Sequence, residues 1–214
     1  MKAVGVFLFL LADLLPLYTQ SPPQNRHFRP TELVELVTFD STIKLDIRYA
    51  KSNNFMRRPM YSQARAFLQR PAANALVRVN EKLRKLGYAL LIFDGYRPWS
   101  VTKKFWDETP PAKRIYVANP RKGSKHNRGC AVDLSLYDLS TNEEVEMPTP
   151  YDDFTINAAA DSPAGTNEQR RARYILRAAM ESEGFKVNPE EWWHFDYSDW
   201  RNYRILNIPF EQIK

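Results

Sequence analysis

The 214-residue sequence predicts a single α+β domain with a largely antiparallel central sheet and helices packed on one side. Three observations support this fold class. The apolar strand patterns come in hairpin-like groups rather than in strict alternation with helices. Two amphipathic helical patterns accompany these groups, and each of them ends at a glycine. The chain length fits one domain, or one domain preceded by a leader.

Three segments make up the predicted domain organisation. Residues 1–20 resemble an export signal, because Lys2 precedes an apolar run from Val4 to Ala12. Asp13 interrupts this run, which is also shorter than the roughly 20 apolar residues that span a bilayer. Residues 21–31 are predicted to be a linker and residues 32–214 the folded domain. We therefore expect a periplasmic or secreted protein without a stable membrane span, and a cytoplasmic protein with an uncleaved start is the alternative.

The composition is ordinary for a soluble globular protein, with 43% hydrophobic and 26% charged residues. A formal charge of +6 favours anionic surfaces, but the basic residues are scattered among acids without interleaved aromatics, so nucleic-acid binding is not expected. Cys130 is the only cysteine, which excludes an intramolecular disulfide. Cys130 is a candidate nucleophile beside His126, but its apolar flanks are more typical of a buried, inert thiol. His27 is expected to be a surface residue.

The first elements are predicted from patterns of period two. The segments Leu33–Phe39 and Ile43–Tyr49 alternate as strands, with a turn at Asp40 and Ser41. Residues 51–61 are polar and predict a long loop, which in a compact domain is often functional. A helix begins at Pro71 and ends before Gly87, and its apolar face contains Leu76, Val79, Leu83 and Leu86.

The middle of the chain predicts the strands that carry polar side chains. The continuous apolar run 88–93 is typical of a strand buried on both faces. Pro98 disfavours the helical region for Arg97, which is expected to be extended before a helix over 98–107. In the strand 130–137, alternation places Asp133 opposite the apolar face, towards a cleft.

The last third predicts a hairpin turn, a long loop, a helix and a final strand. The turn lies at 141–143 and the loop spans 148–165. The helix keeps apolar residues at helical spacing from Ala172 to Met180 and ends at Gly184. The final strand is aromatic and covers 191–197.

Two of the three histidines, together with one aspartate, form a candidate metal site. His126 lies in a glycine-containing loop, Asp133 follows seven positions later on the cleft-facing strand, and His194 lies in the final strand. Two imidazoles and a carboxylate suit a catalytic zinc that keeps one position open. The simpler alternatives are a hydrogen-bonded strand carboxylate for Asp133 and a core imidazole for His194.

Two further residues are candidates for catalysis. Glu191 can accept a proton from water beside a hydrolytic zinc. In a regular strand, however, Glu191 and His194 point to opposite faces, so sharing one site requires an irregular backbone near Glu191. Arg97 offers a permanently charged fork of donors to a developing oxyanion. The alternatives are a surface acid for Glu191 and an ion pair with Asp94 for Arg97, and the latter is compatible with catalysis.

Three motifs together resemble the D-alanyl-D-alanine dipeptidases of the vancomycin-resistance type, within the zinc D,D-peptidases. The motifs are Asp94-Gly-Tyr-Arg-Pro98, Ser124-x-His126-x-x-Gly129-x-x-x-Asp133-Leu134 and Glu191-Trp-Trp-His194. The resemblance covers roughly residues 45–197. The Glu-Trp-Trp-His motif favours the dipeptidase branch, because carboxypeptidases of the wider group more often have proline at the position of Trp192. Phe195, where tyrosine is common, and Cys130, where a small residue is common, are departures that touch no proposed ligand.

The resemblance implies one zinc ion held by His126, Asp133 and His194, with Glu191 as general base and Arg97 stabilising the transition state. It implies hydrolysis of the dipeptide D-Ala-D-Ala. Candidate substrate-binding residues are Tyr49, Ser124 and Asp196. The alternatives are a zinc D,D-carboxypeptidase acting on peptidoglycan stem peptides and a non-catalytic zinc-bearing module. Glu191 and Arg97 argue for an enzyme, since a structural zinc needs neither.

Overall fold

The computed structural model of the protein describes residues 22, 24 and 27–213. The proposed export signal therefore lies outside the described residues. Within the predicted linker, the Gln24 side chain exchanges two hydrogen bonds with the backbone of Ile205, and Arg29 forms an ion pair with Asp199 at 2.7 Å. The boundary between linker and domain stays a prediction.

A five-stranded sheet forms the centre of the fold. In spatial order its strands are β2 (Lys44–Leu45), β4 (Tyr88–Asp94), β5 (Ala131–Asp138), β7 (Glu191–Tyr197) and β6 (Phe185–Asn188). Only the pair of β2 and β4 is parallel, and the other three pairs are antiparallel. A second sheet pairs β1 (Leu33–Glu35) with β3 (Phe67–Gln69). The predicted α+β class with a largely antiparallel sheet is confirmed.

Four α-helices accompany the sheets in the described part of the chain: α1 (Leu36–Phe39), α2 (Arg70–Arg84), α3 (Trp99–Glu108) and α4 (Asn167–Glu181). Helices α2 and α4 contact each other and the central sheet, so both cover the same side of it. A capping box between Thr166 and Gln169 starts α4 by satisfying two backbone N–H groups at its first turn. The predicted packing of helices on one side of the sheet is confirmed for α2 and α4.

Strands β4 and β5 are buried on both faces, as expected for strands near the centre of a sheet. Every residue from Ala89 to Asp94 and from Ala131 to Tyr137 is buried. Such continuous burial matches the unbroken apolar run from which β4 was predicted. The polar residues within these strands are therefore held rigidly, and the functional side chains Asp94 and Asp133 are among them.

The prediction for the first elements is partly wrong. Residues 36–39 form a helical turn rather than a continuation of the strand, and the second predicted strand is regular only at Lys44 and Leu45. The two segments do not pair with each other. Instead, β1 pairs with β3 and β2 pairs with β4. Period two alone does not identify the pairing partner. Leu86, assigned to the buried face of α2, is 60% exposed because the helix ends at Arg84.

The predicted loops are confirmed and they surround one end of the sheet. Residues 51–66 contain no α-helix or strand, and residues 148–165 contain one 3-10 turn at Ile156–Ala158. Residues 141–143 make the expected turn, with Asn142 in the left-handed region at φ 62°. No helix among the described residues is long and apolar enough to cross a membrane.

Candidate active site

Three side chains converge at one end of the central sheet. His194 Nδ1 lies 2.9 Å from Asp133 Oδ1 and 3.1 Å from His126 Nε2, and the last two atoms are 3.3 Å apart. All three residues are buried. Ligands at the usual zinc distances with tetrahedral angles lie about 3.3 Å from one another. The three atoms therefore stand at nearly the separation that a tetrahedral zinc requires.

Strand register and one tight turn produce this convergence. Asp133 in β5 and His194 in β7 are direct cross-strand partners, so their side chains leave the sheet on the same face. His126 lies in a 3-10 turn that Gly129 ends in the left-handed region, at φ 66°. A Cβ at Gly129 would lie 2.5 Å from Leu33 Cδ2 and 3.2 Å from the backbone nitrogen of Gln69, and L side chains rarely adopt this φ, so a larger residue would strain the turn.

Each of the three side chains makes a further hydrogen bond through the polar atom that faces away from the other two, and this bond orients it. His126 Nδ1 lies 2.7 Å from the carbonyl of Gly95, which can only accept, so Nδ1 carries the proton and Nε2 keeps its lone pair. Tyr151 donates to Asp133 Oδ2 at 2.9 Å, which leaves Oδ1 facing the imidazoles. His194 Nε2 lies 2.9 Å from Asp196 Oδ1. Metal-binding histidines and carboxylates almost always have such partners.

The electrostatics of the site favour a cation between these side chains. In the metal-free protein, burial raises the pKa of Asp133, but the adjacent imidazoles of His126 and His194 outweigh burial and hold it well below its usual value. Burial lowers the pKa of His194, yet its hydrogen bonds to Asp133 and Asp196 prevail and raise it to about 10. The carboxylates thus draw positive charge to the point where the three atoms meet. The donor set, its separations and its charge all fit zinc.

Glu191 lies in the same site as His194 because the backbone near Glu191 is irregular, as a shared site would require. The register of β6 and β7 shifts between Val187, which pairs with Phe195, and Asn188, which pairs with Glu191. This bulge brings Glu191 Oε2 to 3.8 Å from His194 Nδ1, although the two residues are three apart. Asn188 Nδ2 donates to the same oxygen at 2.9 Å and holds it there.

Arg97 is buried at the edge of the site and held by Asp94. Its Nε and Nη2 donate to Asp94 Oδ2 at 3.0 and 2.6 Å. The guanidinium carbon lies 5.1 Å from the ring centre of Tyr49 and 4.9 Å from that of Phe105. Tyr61 donates to the other oxygen of Asp94 at 2.8 Å. The ion pair expected between Arg97 and Asp94 is present, and it fixes the guanidinium where it lines the cleft.

These side chains open into a cleft of about 540 Å³. The cleft wall includes Tyr49 and Ser124, two of the predicted substrate-binding residues. It also includes Asp152, which the sequence analysis missed. Tyr49 donates to Asp152 Oδ1 at 3.0 Å, and burial followed by the charge of Asp133 raises the pKa of Asp152 to about 7. The only signal in the sequence was an acidic pair, Asp152 and Asp153, within a long loop.

Two other predicted residues lie elsewhere. Asp196 is not part of the described cleft wall, because its carboxylate lies against His194 and Lys125. Cys130 is fully buried, its thiol lies 3.5 Å from the carbonyl of Arg128, and burial raises its pKa far above the usual value. These facts favour the inert interpretation of Cys130 over the nucleophile. His27 is exposed, as expected.

Fold and site together define the class of protein. A His-Asp-His cluster with an adjacent glutamate, a buried arginine and an open cleft is the arrangement of a zinc-dependent hydrolase. The peptidase M15 family model, described as D-Ala-D-Ala dipeptidase, matches residues 29–211. The chain therefore belongs to the D-Ala-D-Ala dipeptidase family of peptidases. The predictions of family, of a metallopeptidase and of zinc as its cofactor are confirmed.

Two sequence relatives agree with this assignment. The D-alanyl-D-alanine dipeptidase of Escherichia coli strain K12 is 32% identical over 180 residues, which cover 84% of this chain and 92% of that protein. The D-alanyl-D-alanine dipeptidase of Enterococcus faecium is 33% identical, covering 73% and 87%. A solved vancomycin-resistance D,D-dipeptidase in complex with a D-Ala-D-Ala phosphinate analogue is 20% identical, covering 79% of this chain and 67% of that chain at a TM-score of 0.42.

Proposed function

We propose that this protein hydrolyses the dipeptide D-Ala-D-Ala to two D-alanines, with one zinc ion held by His126 Nε2, Asp133 Oδ1 and His194 Nδ1. The observation that carries the proposal is the near-tetrahedral separation of these three atoms beside the Glu191 carboxylate. Zinc held there would supply a Lewis acid that lowers the pKa of water to roughly 7 and polarises the scissile carbonyl. Family membership supports the substrate.

Glu191 is the proposed general base. Its carboxylate takes a proton from the attacking water on Oε2 and delivers it to the leaving amine. In the metal-free protein, burial raises the pKa of Glu191 above the usual value for glutamate, which makes the carboxylate a better proton acceptor. The hydrogen bond from Asn188 fixes the position of Oε2 without occupying the whole carboxylate.

Arg97 is the proposed stabiliser of the tetrahedral oxyanion. Asp94 holds the guanidinium through two of its nitrogens, so little reorganisation is needed when charge develops on the substrate. Arg97 is only 7% exposed, and in such a site a charge acts more strongly than in water. The rings of Tyr49 and Phe105 pack against its faces and keep it from swinging away.

The substrate's ammonium is proposed to bind Asp152, with Tyr49 as its support. Asp152 is a cleft carboxylate outside the ligand set, and the hydroxyl of Tyr49 orients it. Ser124, which also lines the cleft, is a candidate contact for the substrate carboxylate.

The experiment compares free D-Ala-D-Ala, N-acetyl-D-Ala-D-Ala and a stem pentapeptide as substrates of the purified zinc-loaded protein. A site that pairs the free ammonium should reject the two blocked substrates by about 10⁴-fold or more in kcat/KM. Comparable values for pentapeptide and dipeptide would instead identify a D,D-carboxypeptidase. Zinc binding without hydrolysis of any of the three would identify a non-catalytic module.

Export to the periplasm or the cell exterior is part of the proposal. Its support is Lys2 followed by the apolar run from Val4 to Ala12. Cell fractionation combined with N-terminal sequencing tests it. A protein with intact Met1 in the cytosol would contradict export and establish the cytoplasmic alternative.

A further inference from the structure

A chain of polar contacts leads from the proposed metal site to the protein surface. His194 Nε2 lies 2.9 Å from Asp196 Oδ1, and Asp196 Oδ2 lies 3.0 Å from Lys125 Nζ. The Asp196 and Lys125 side chains are 18% and 39% exposed. Neither residue binds the metal in the arrangement described above, and Asp196 has both carboxylate oxygens engaged.

We propose that Asp196 and Lys125 are positioning residues that tune the affinity of the site for zinc through His194. The metal needs the lone pair on Nδ1 of His194, so the ring proton must reside on Nε2. Asp196 accepts that proton in a hydrogen bond, which selects this tautomer, orients the ring and raises the basicity of the ligand. This inference rests on the zinc assignment made in the proposed function.

The local sequence explains why Asp196 reaches the second nitrogen of His194. Residues two apart in a strand point to the same face, so Asp196 follows His194 on the side that faces the site. The register pairs Asp133 with His194 and Ala131 with Asp196, which holds the ligand and its partner on one rigid ladder. No loop rearrangement is needed to make the contact.

Lys125 directly precedes His126, so its ion pair with Asp196 also affects the position of His126. Its ion pair with Asp196 joins the turn that carries one imidazole ligand to the strand that carries the other. The Lys125 ammonium also lies 5.5 Å from the ring centre of Trp200, and this contact restricts the conformations of the lysine side chain. The ion pair thus helps to keep His126 Nε2 and His194 Nδ1 at the separation of 3.1 Å.

An ordinary surface ion pair is the competing interpretation of Lys125 and Asp196. Such pairs contribute little to stability and would not change metal affinity. The two interpretations differ in what they predict for zinc, which can be measured without reference to catalysis.

The test measures the zinc dissociation constant by chelator competition at fixed pH. Asp196→Ala should weaken zinc binding by about 10- to 100-fold, the usual effect of removing such a partner. Asp196→Asn, which keeps an acceptor oxygen and the side-chain volume, should fall between Asp196→Ala and wild type. Lys125→Met should weaken binding by up to about fivefold, Lys125→Arg should restore it, and the exposed Lys122→Met should have no effect.

A double variant shows whether Lys125 acts through Asp196. In the Asp196→Ala background, Lys125→Met should cause no further loss of zinc affinity, because the group it positions is gone. Nitrogen-15 NMR of the zinc-loaded wild type should place the ring proton of His194 on Nε2.

Several outcomes would overturn the inference. Wild-type zinc affinity in both Asp196 variants, a proton on Nδ1 in the loaded protein, or an undiminished effect of Lys125→Met in the Asp196→Ala background would each do so. Failure of the substrate assignment looks different. If wild type holds zinc tightly, Asp196→Ala loses it and neither cleaves D-Ala-D-Ala, the positioning role stands and the proposed substrate is wrong.

Discussion

Substituting Asp152 by asparagine isolates the charge that we propose to bind the substrate ammonium. Asparagine keeps the side-chain volume and an oxygen that can accept from Tyr49, whose hydroxyl lies 3.0 Å from Oδ1. It also adopts the left-handed backbone at φ 60° more readily than alanine does. The contact from the N–H of Phe55 is long, at 3.5 Å, so its loss changes little. The variant should therefore fold and bind zinc normally.

The expected loss follows from leaving one charge of a partly buried pair without its partner. Removing one member of a buried ion pair typically costs about 3–5 kcal/mol. The cleft that contains Asp152 opens to solvent, which places the effect near the lower limit, or roughly 100-fold in kcat/KM for D-Ala-D-Ala. Most of this loss should appear in KM, because the ammonium is paired in both the bound substrate and the transition state.

The assay is release of D-alanine from D-Ala-D-Ala and from N-acetyl-D-Ala-D-Ala by wild type and Asp152→Asn, with zinc content measured in parallel. Acetylation should harm wild type severely and the variant far less, because the variant no longer has a charge that requires pairing. Equal losses on both substrates, or wild-type kinetics on the free dipeptide, would refute the assignment of Asp152.

Three further predictions concern the metal, the catalytic groups and pH. His194→Ala should lose both zinc and activity, and one tightly held zinc in that protein would contradict the ligand assignment. Glu191→Gln should keep zinc and lose about 10²- to 10⁴-fold in kcat. Arg97→Lys should lose about 100- to 1000-fold in kcat, because an ammonium cannot reproduce the forked donors of the guanidinium. Turnover near that of wild type in either variant would remove the residue concerned from the mechanism. Since burial raises the pKa of Asp152 above the usual value for aspartate, protonation should lower kcat/KM for D-Ala-D-Ala as the pH falls through that raised pKa. This limb should be absent in Asp152→Asn, and its persistence there would assign it to another group.

Strong local patterns account for the parts of the fold that the sequence predicted. The apolar run of β4, the aromatic β7 and the amphipathic helices α2 and α4 each have one periodicity and clear ends, such as Gly87 and Gly184 in the left-handed region. The weak patterns before residue 50 have several compatible pairings, and there the prediction was partly wrong. Local pattern determines the type of an element, but the pairing of short strands depends on the whole sheet.

The sequence was also sufficient to identify the main residues of the candidate site, because few residue types can bind zinc or catalyse hydrolysis beside it. His126, Asp133, His194, Glu191 and Arg97 were named from their types, their strand positions and their motifs, and all five line one cleft. The assignment of their roles remains a proposal that the experiments above test.

Tertiary structure alone decided the features that depend on two distant segments. Asp152 lies in a polar loop without periodicity, so only the folded chain shows that Tyr49, more than a hundred residues earlier, holds it in the cleft. The bulge opposite Val187 decided that Glu191 and His194 share a site. Asp196 contacts His194 and Lys125 instead of lining the cleft. Both contacts depend on the register of β5 and β7 and on the turn at His126. Sequence pattern reports which face of an element a residue occupies, whereas the partner on that face is chosen by packing between elements.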